Sequence, residues 1–387
     1  MVEVVISGIG QSDVARKLEK SGLALTVDAA LEAMADAGLS AAEVDGLSTF
    51  PGAAPGSGFS PVGTWKLRDA LGLKLDWICG GGERPGQLGA LIDAYAAIKA
   101  GLARHVLCFR TVKEGSGGAT HQAYLGATTR PRAAGDQQWH SPWSGPSYVG
   151  FFAMYAQRHM HLYGSTREQF AQIALTQRRN AALNPKGVYT EPMTMDDYLS
   201  ARMISSPLCL FDCDAPVDGS TVLILSAADA AKDLKSKPIR IESVGGSVHG
   251  AAGWDNQELG MDSTNDSARR MFAHTDIKPK DIDIGLLYDG FSFIVAEWLE
   301  ALGICGQGEA GAFLEGGSRI ALDGEFPINP HGGQLSSGRV HGFGFPHEAV
   351  LQLRGDGGAR QVPGDPRVAV VTNSGGFMAG CMLLVRD

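Results

Sequence analysis

The chain has 387 residues, of which 44% are hydrophobic and 19% charged, the make-up of an ordinary globular protein long enough for two core-sized units. A net charge of −9 without any basic run argues against nucleic acid as the main partner. No apolar stretch reaches the roughly 18 residues of a membrane span, and the opening MVEVVISGIG lacks the basic flank and cleavage site of a secretory signal, so a cytoplasmic location is expected.

Hydrophobic periodicity predicts the following elements in chain order. A strand at Val2–Gly8, a helix at Leu25–Ala37 and a strand at Val44–Thr49 open the chain. A helix at Gln87–Ala100 and a strand at Val106–Arg110 follow. The middle, from about Lys113 to Pro207, is largely helical, with Ser147–Tyr163 and Thr166–Leu183 as its strongest helices. Strands at Val222–Ser226 and Ile239–Val248 return from it. The chain then alternates again: helix Ser267–Phe272, strand Ile284–Tyr288, helices Phe293–Leu302 and His347–Leu353, strand Val368–Thr372. Such alternation predicts a layered α/β fold.

The end of the chain echoes its beginning. One fixed offset lays Met34 on Phe272, Leu39 on Ile277, Glu43 on Asp281, Asp45 on Asp283 and Leu47 on Gly285. In each copy an amphipathic helix passes through a polar turn into an apolar strand. A second echo pairs RHVLCFRTVKEGSGG (Arg104–Gly118) with RVAVVTNSGGFMAG (Arg367–Gly380). The echo skips the helical middle, which therefore reads as an insertion. The expected division is residues 1–232, with an inserted loop domain at about 113–207, and residues 233–387. The polar, Pro-containing stretch Lys232–Pro238 reads as the hinge between them. Two related halves around one core usually hold a site between them.

Four segments carry candidate chemistry. RPGQLGALIDAYAAIKAG, opening at Arg84, follows the glycines Gly80–Gly82, where a helix start can face an anion or simply make a tight turn. Tyr288, Asp289, Gly290 and Phe291 end a strand; capping of the following helix accounts for Asp289 but not for Tyr288. NPHGGQLSSGRVHGFG sets His331, Arg339 and His341 among five glycines, Gly332 and Gly333 included; histidine moves protons near neutrality and arginine fixes an oxyanion. Asn373-Ser374-Gly375-Gly376 closes the second echo. The six cysteines form no CxxC pair and read as reduced core thiols, with Cys209 and Cys213 as a weak metal alternative. The aromatic middle (Trp139, Trp143, Tyr148, Phe151, Phe152, Tyr155) suits a bulky apolar substrate, or is plain core.

These segments together resemble the thiolase superfamily, in its sterol-carrier-protein-X or lipid-transfer-protein branch. AMYAQRHMHLYGSTREQFAQIALTQRRNAALNP resembles that branch's loop domain, and PLCLFDCDAPVDGSTVLILS its return strand. NPHGGQLSSGRVHGFGF is similar to its Asn-Pro-x-Gly-Gly and Gly-His-Pro-x-Gly loop, and NSGGFMAG stands at its final Gly-rich loop. The resemblance implies a five-layer αβαβα fold of two duplicated halves, coenzyme A thioesters as ligands and a homodimer. His105–Phe109 is the strand expected at the dimer edge.

The departures set the expected chemistry. Arg84 stands where a thiolase has its nucleophilic cysteine, Cys79 lies five residues upstream, and Asn373 takes the place of the last-loop cysteine. Tyr288-Asp289-Gly290-Phe291 replaces Asn-Glu-Ala-Phe, and Arg339 replaces the Gly-His-Pro histidine. Without an acyl-accepting thiolate, Claisen chemistry is not expected. The chain instead resembles aldolases of bacterial steroid side-chain degradation. That implies retro-aldol cleavage of a β-hydroxyacyl-CoA to a ketone and a short acyl-CoA, with no cofactor or metal in this chain. It also implies a small zinc-ribbon/OB-fold partner, fused to or complexed with a MaoC-like hydratase. The expected catalytic residues are Tyr288, His341, His331, Asp289 and Arg339, with Tyr288 as base or proton shuttle, its phenol lowered by His341 or Arg339. Arg84, Gly332, Gly333, Asn373 and Gly375 are expected at the CoA and oxyanion positions. A non-catalytic scaffold of a hydratase complex and a residual thiolase using Cys79 are the alternatives.

Overall fold

A computed structural model describes residues 2–53, 60–81, 86–116, 138–139, 148–231, 233–248 and 260–387. The first half runs β1 (Val4–Gln11), α1 (Gly22–Ala37), β2 (Gly46–Thr49), α2 (Thr64–Leu71), β3 (Trp77–Gly80), α3 (Gly89–Lys99) and β4 (His105–Lys113). The inserted stretch contributes α4 (Tyr148–Tyr163), α5 (Arg167–Ala181), α6 (Met195–Ser200) and the short hairpin β5 (Met203–Ser205) and β6 (Leu208–Cys209), before β7 (Asp218–Ala227) closes the half. The second half runs β8 (Ile239–Val248), α7 (Asp262–Phe272), β9 (Ile284–Leu286), α8 (Ser292–Ala301), α9 (Ala310–Leu314), α10 (Gly333–Ser337), α11 (Gly344–Arg354), β10 (Val368–Gly375) and β11 (Met378–Val385).

The strands order as β3-β2-β4-β7-β1-β8-β11-β10-β9. This order is a mirror about the β1/β8 junction, where only Val5↔Arg240 and Ile6↔Ile239 pair. On each side two antiparallel contacts lead to one parallel pair, β4 with β2 and β10 with β9. Beyond β9, Gly285 bridges Ile328 in parallel, at the place that β3 occupies beside β2. The helix–strand echo of the sequence thus maps α1–β2 onto α7–β9.

Alternation along the strands builds the layers. Leu107, Phe109, Val222 and Ile224 pack against the helix α1. Val106, Cys108, Leu223 and Leu225 turn the other way, into the core shared with α3 and α11. Helix α11 lies against strands of both halves, and α7 covers β8 and β11 from outside. Glycines set two of these approaches. A Cβ on Gly10 would lie 2.2 Å from the Ala29 carbonyl oxygen of α1, and one on Gly245 would lie 2.0 Å from that of Ser267 in α7.

Two expectations are corrected. The strand at His105–Phe109 is no edge: β4 is hydrogen-bonded on both sides, to β2 and β7, and the edge of that half is β3. Both β3 and β11 escaped the sequence reading, β3 because four residues show no period and β11 because its start is glycine-rich. The stretch after Lys232 is held rather than hinge-like, since Lys235 N–H donates to the Ala37 carbonyl at 3.0 Å and Ser236 Oγ to Asp36 Oδ1 at 2.7 Å. Of the aromatic middle, Phe151, Phe152 and Tyr155 are core, Trp139 and Tyr148 are exposed, and Trp143 lies outside the described residues.

Candidate active site

The site gathers where β9 and β10 end and α3 begins. Tyr288 leaves β9 with its N–H donating to Thr372 Oγ1 at 2.9 Å, and its ring packs edge-on to Phe345 at 6.0 Å. Glycine makes room for the ring: a Cβ on Gly290 would stand 2.7 Å from it. The phenol accepts from Gln87 Nε2 at 3.3 Å, and the Gln87 and Asn373 side-chain amides lie 2.8 Å apart. Burial pushes the Tyr288 phenol above its usual range, and Asp214 adds to this. Gln334 and Arg339 oppose the rise and lose. The expected lowering by a neighbouring cation is therefore overturned: desolvation of the phenolate outweighs Arg339. At neutral pH Tyr288 is a neutral proton and hydrogen-bond donor.

Asp289 is fully buried and caps a helix, though not the one that follows it. Its carboxylate accepts the N–H of Gln334 at 2.9 Å and of Leu335 at 3.1 Å, at the start of α10. Gly332 and Gly333 allow this approach with φ of 99° and 60°, and a Cβ on Gly333 would collide with Asp289. Burial raises the carboxyl to about 7 against these two N–H groups.

Beside Tyr288 four charges alternate. Arg339 Nη1 donates to Asp214 Oδ1 at 3.0 Å, and Nη2 to Glu114. Arg110, fully buried with its pKa lowered to about 10 by desolvation, donates to the Phe50 carbonyl at 2.7 Å and is drawn to Glu114. Burial raises the Asp214 carboxyl to about 7 despite Arg339, while the two carboxylates hold the guanidinium of Arg339 firmly charged. His341 sits at φ 43°, a conformation costly for a residue with a Cβ, with Nε2 3.6 Å from Glu114 Oε1. Burial and Arg110 keep its imidazole neutral, and Nε2 makes no hydrogen bond.

The remaining expected residues are spread more widely. Phe345 meets both Tyr288 and His331 edge-on, the latter at 5.4 Å. His331 faces a separate cavity. Gly375 lies against the buried Glu297, where a Cβ would come 2.8 Å from Oε2. Arg84 lies outside the described residues. Cys79, on β3, donates to Asp93 Oδ2 at 3.8 Å, and all six cysteines are free. Among the described residues no three His, Cys, Asp or Glu side chains cluster as metal ligands, and no helix is long and apolar enough to cross a membrane. Sequence reasoning missed Gln87, Arg110, Glu114, Asp214 and Gln334. Glu114 and Asp214 flank the inserted stretch, and that position at both of its ends was the available signal.

Residues 245–386 match a thiolase C-terminal domain-like family model. The chain is 32% identical over 401 residues to a steroid side-chain-cleaving aldolase of Thermomonospora curvata, covering 99% of this chain and 97% of that one. It is 32% identical over 395 residues to 17-hydroxy-3-oxo-4-pregnene-20-carboxyl-CoA lyase of Mycobacterium tuberculosis, covering 98% and 99%. Among solved structures, an Ltp2-ChsH2(DUF35) aldolase superposes with a TM-score of 0.86 at 31% identity, over 100% of this chain and 98% of that one. Identity of this extent, along the whole length of both chains, makes this protein a member of the thiolase-like family of steroid side-chain-cleaving aldolases.

Proposed function

We infer that the chain is a carbon–carbon lyase that cleaves a β-hydroxyacyl-CoA by a retro-aldol reaction, with a steroid or bile-acid side chain as the acyl group. The observation that carries the reading is a buried neutral phenol, Tyr288, whose pKa the carboxyl of Asp214 helps to raise. Cleavage needs a base for the β-hydroxyl, a donor for the enolate and no covalent nucleophile. Asp214, with a pKa raised to about 7, is suited to take the hydroxyl proton. As the C=O forms, the Cα–Cβ bond breaks and its electron pair passes into the thioester as an enolate. Tyr288 hydrogen-bonds that enolate and delivers its proton to Cα, and the proton on Asp214 resets the pair. Arg339 orients Asp214 and Glu114, and the neutral His341 and the Gln87–Asn373 amide pair supply polar contacts for the thioester oxygen. Asp289, Gly332 and Gly333 hold the α10 turn in place, and Gly375 shapes the last loop.

The coenzyme A thioester is the substrate, and no cofactor is assigned to this chain. A small partner of the DUF35 kind named in the Ltp2-ChsH2 structure fits the expected zinc-ribbon/OB-fold protein. A MaoC-like hydratase in the same assembly, a homodimer and a cytoplasmic location complete the reading, with residues 1–232 and 233–387 as the two halves. The test is to incubate the chain, with and without such a partner, with a tertiary β-hydroxyacyl-CoA of a steroid side chain. Equimolar ketone and short acyl-CoA are expected. Acyl transfer to free CoA would return the thiolase reading, and no turnover in either arm would make the chain a scaffold.

A further inference from the structure

A cavity of about 470 Å³ is lined in part by His331, Gln334 and Phe345. Its walls come from β1 and α1 of the first half, from the segment after α5, and from the His331–Val340 loop and α11 of the second half. The acidic groups facing it are already engaged. Asp36 accepts from Arg354 at 2.8 Å, Ser236 at 2.7 Å and Ile9 N–H at 3.0 Å. Glu348 receives Arg360 in a fork at 2.9 and 2.8 Å, and also Gln352 at 2.9 Å. Glu32 accepts the Gln11 N–H at 3.1 Å, and Asp356 is exposed at the rim.

The basic side is not matched in the same way. The half-buried ammonium of Lys186 donates to the Gln11 carbonyl at 2.5 Å and pairs with no carboxylate among the described residues. Arg360 spends Nε and Nη2 on Glu348, which leaves Nη1 over. His347 and His331 complete the basic wall. Nδ1 of His331 has no partner although the side chain is only 9% exposed. Arg360 disfavours charge on Lys186, His331 and His347, and Lys186 on His347, while Glu32 and Asp13 favour it on Lys186 and Asp36 on His347. A buried polar atom left without a partner is costly, so Nδ1 of His331 among these cations fits a ligand that brings a hydrogen-bonding anion.

We propose that this cavity is a second ligand site, taking the carboxylate or phosphate group of a small anion on Lys186, Arg360, His347 and His331. Its volume exceeds that of the anionic group alone and accommodates a short organic body against Ile9, Val14 and Leu351. Binding is linked to protons. Burial among cations holds both imidazoles near 3, and an anion between them raises that value. Protons are therefore taken up on binding, and affinity rises as the pH falls. Asp36 and Glu348 already face the cations that hold them, and Lys186 and Arg360 oppose the imidazolium charge until the anion arrives.

Sulfate is the probe for the phosphate class, because its charge is constant above about pH 4, and propionate is the probe for the carboxylate class. Thermal melting and titration calorimetry of the purified chain, against chloride at equal ionic strength, are expected to show saturable stabilisation by at least one probe. It should strengthen as the pH falls from about 6 to about 5 and be accompanied there by proton uptake in buffers of different ionisation heat. Lys186→Met should fold, melting like the parent in chloride, and lose the response. His347→Gln should keep binding and lose part of the proton uptake, which covers the case in which Lys186→Met is misfolded. Competition by free CoA identifies the phosphates of the thioester as the source, and its absence identifies an independent small anion. An unchanged response in a folded Lys186→Met variant, or no response beyond chloride at either pH, overturns the proposal.

Discussion

At the scale of single residues, burial decides what each titratable group is able to do. Tyr288 is neutral because desolvating a phenolate costs more than Arg339 returns. Tyr288→Phe removes only the hydroxyl, so it should leave acyl-CoA affinity within a few-fold while carbon–carbon cleavage falls by about 10²–10⁴. Cys79→Ala should leave the rate within a few-fold, and steady-state kinetics of the two variants side by side separate the lyase from a thiolase, which requires the opposite order. If Asp214 is the base, the rate should climb with pH through about 7, and Asp214→Asn should abolish that limb of the profile. Glu297 offers a stability test away from the chemistry. It accepts from Thr264 and the Gly376 N–H at 2.7 Å each, while Oε2 has no partner. Burial raises its carboxyl from 4.5 to about 7. A raised carboxyl contributes its stability in full below the unfolded value near 4.5 and loses it as the pH rises through 7. Glu297→Gln keeps both accepted bonds, so denaturant melts should find it level with the parent near pH 4.5 and more stable at pH 8 by roughly 1–3 kcal/mol.

At the scale of elements, the two halves repeat their geometry more closely than their side chains. Helices α1 and α7 each press onto a strand at a glycine, and no Cβ fits either place. Gly10→Ala and Gly245→Ala should each lower stability by about 1–3 kcal/mol, the usual cost of overpacking, and chemical denaturation of both variants checks it. Little loss in either would mean that the helix moves away freely and that the close approach is incidental. The inserted helices are tied to the second half by a polar chain: Ser165 Oγ to His159 Nδ1 at 3.0 Å, and His159 Nε2 to Glu300 Oε1 at 2.8 Å. This accounts for one feature that periodicity left unread, a histidine on the buried face of α4. The periodicity itself was a good guide to long elements: the strand at Ile239–Val248 was placed to the residue, and α1 and α5 to within three residues at either end. Short pieces such as β3, α10 and the β5–β6 hairpin carry too few turns or alternations to register.

At the scale of the whole molecule, the sheet order leaves β3 at the edge of the first half, with Ile78 37% exposed on it. Nearby on α2, Trp65 is 62% exposed. An open edge with apolar neighbours invites pairing, and a second copy is the partner expected there. Light scattering at micromolar concentration should give twice the chain mass, and Ile78→Lys should shift it toward the monomer; a monomer in the parent would reject this edge. Full activity should also require the small partner protein, and undiminished turnover by the purified chain alone would reject that.

The sequence by itself determined the duplicated α/β plan, because helix and strand periods and the repeated polar turns are local properties of the chain. It also showed that Arg84 and Asn373 stand where a thiolase has its cysteines, since those positions are legible one by one. It located Tyr288 and the His331–Gly344 loop, because strand ends and dense glycine are visible in a linear text. Only the tertiary structure decided how those residues divide their work. Asp289 caps α10 and not its own helix, Phe345 packs against both Tyr288 and His331, and Asp214 and Glu114 arrive from either end of the insertion to hold Arg339. These outcomes rest on contacts between distant segments and on the desolvation that those contacts impose, neither of which has a signature in local pattern.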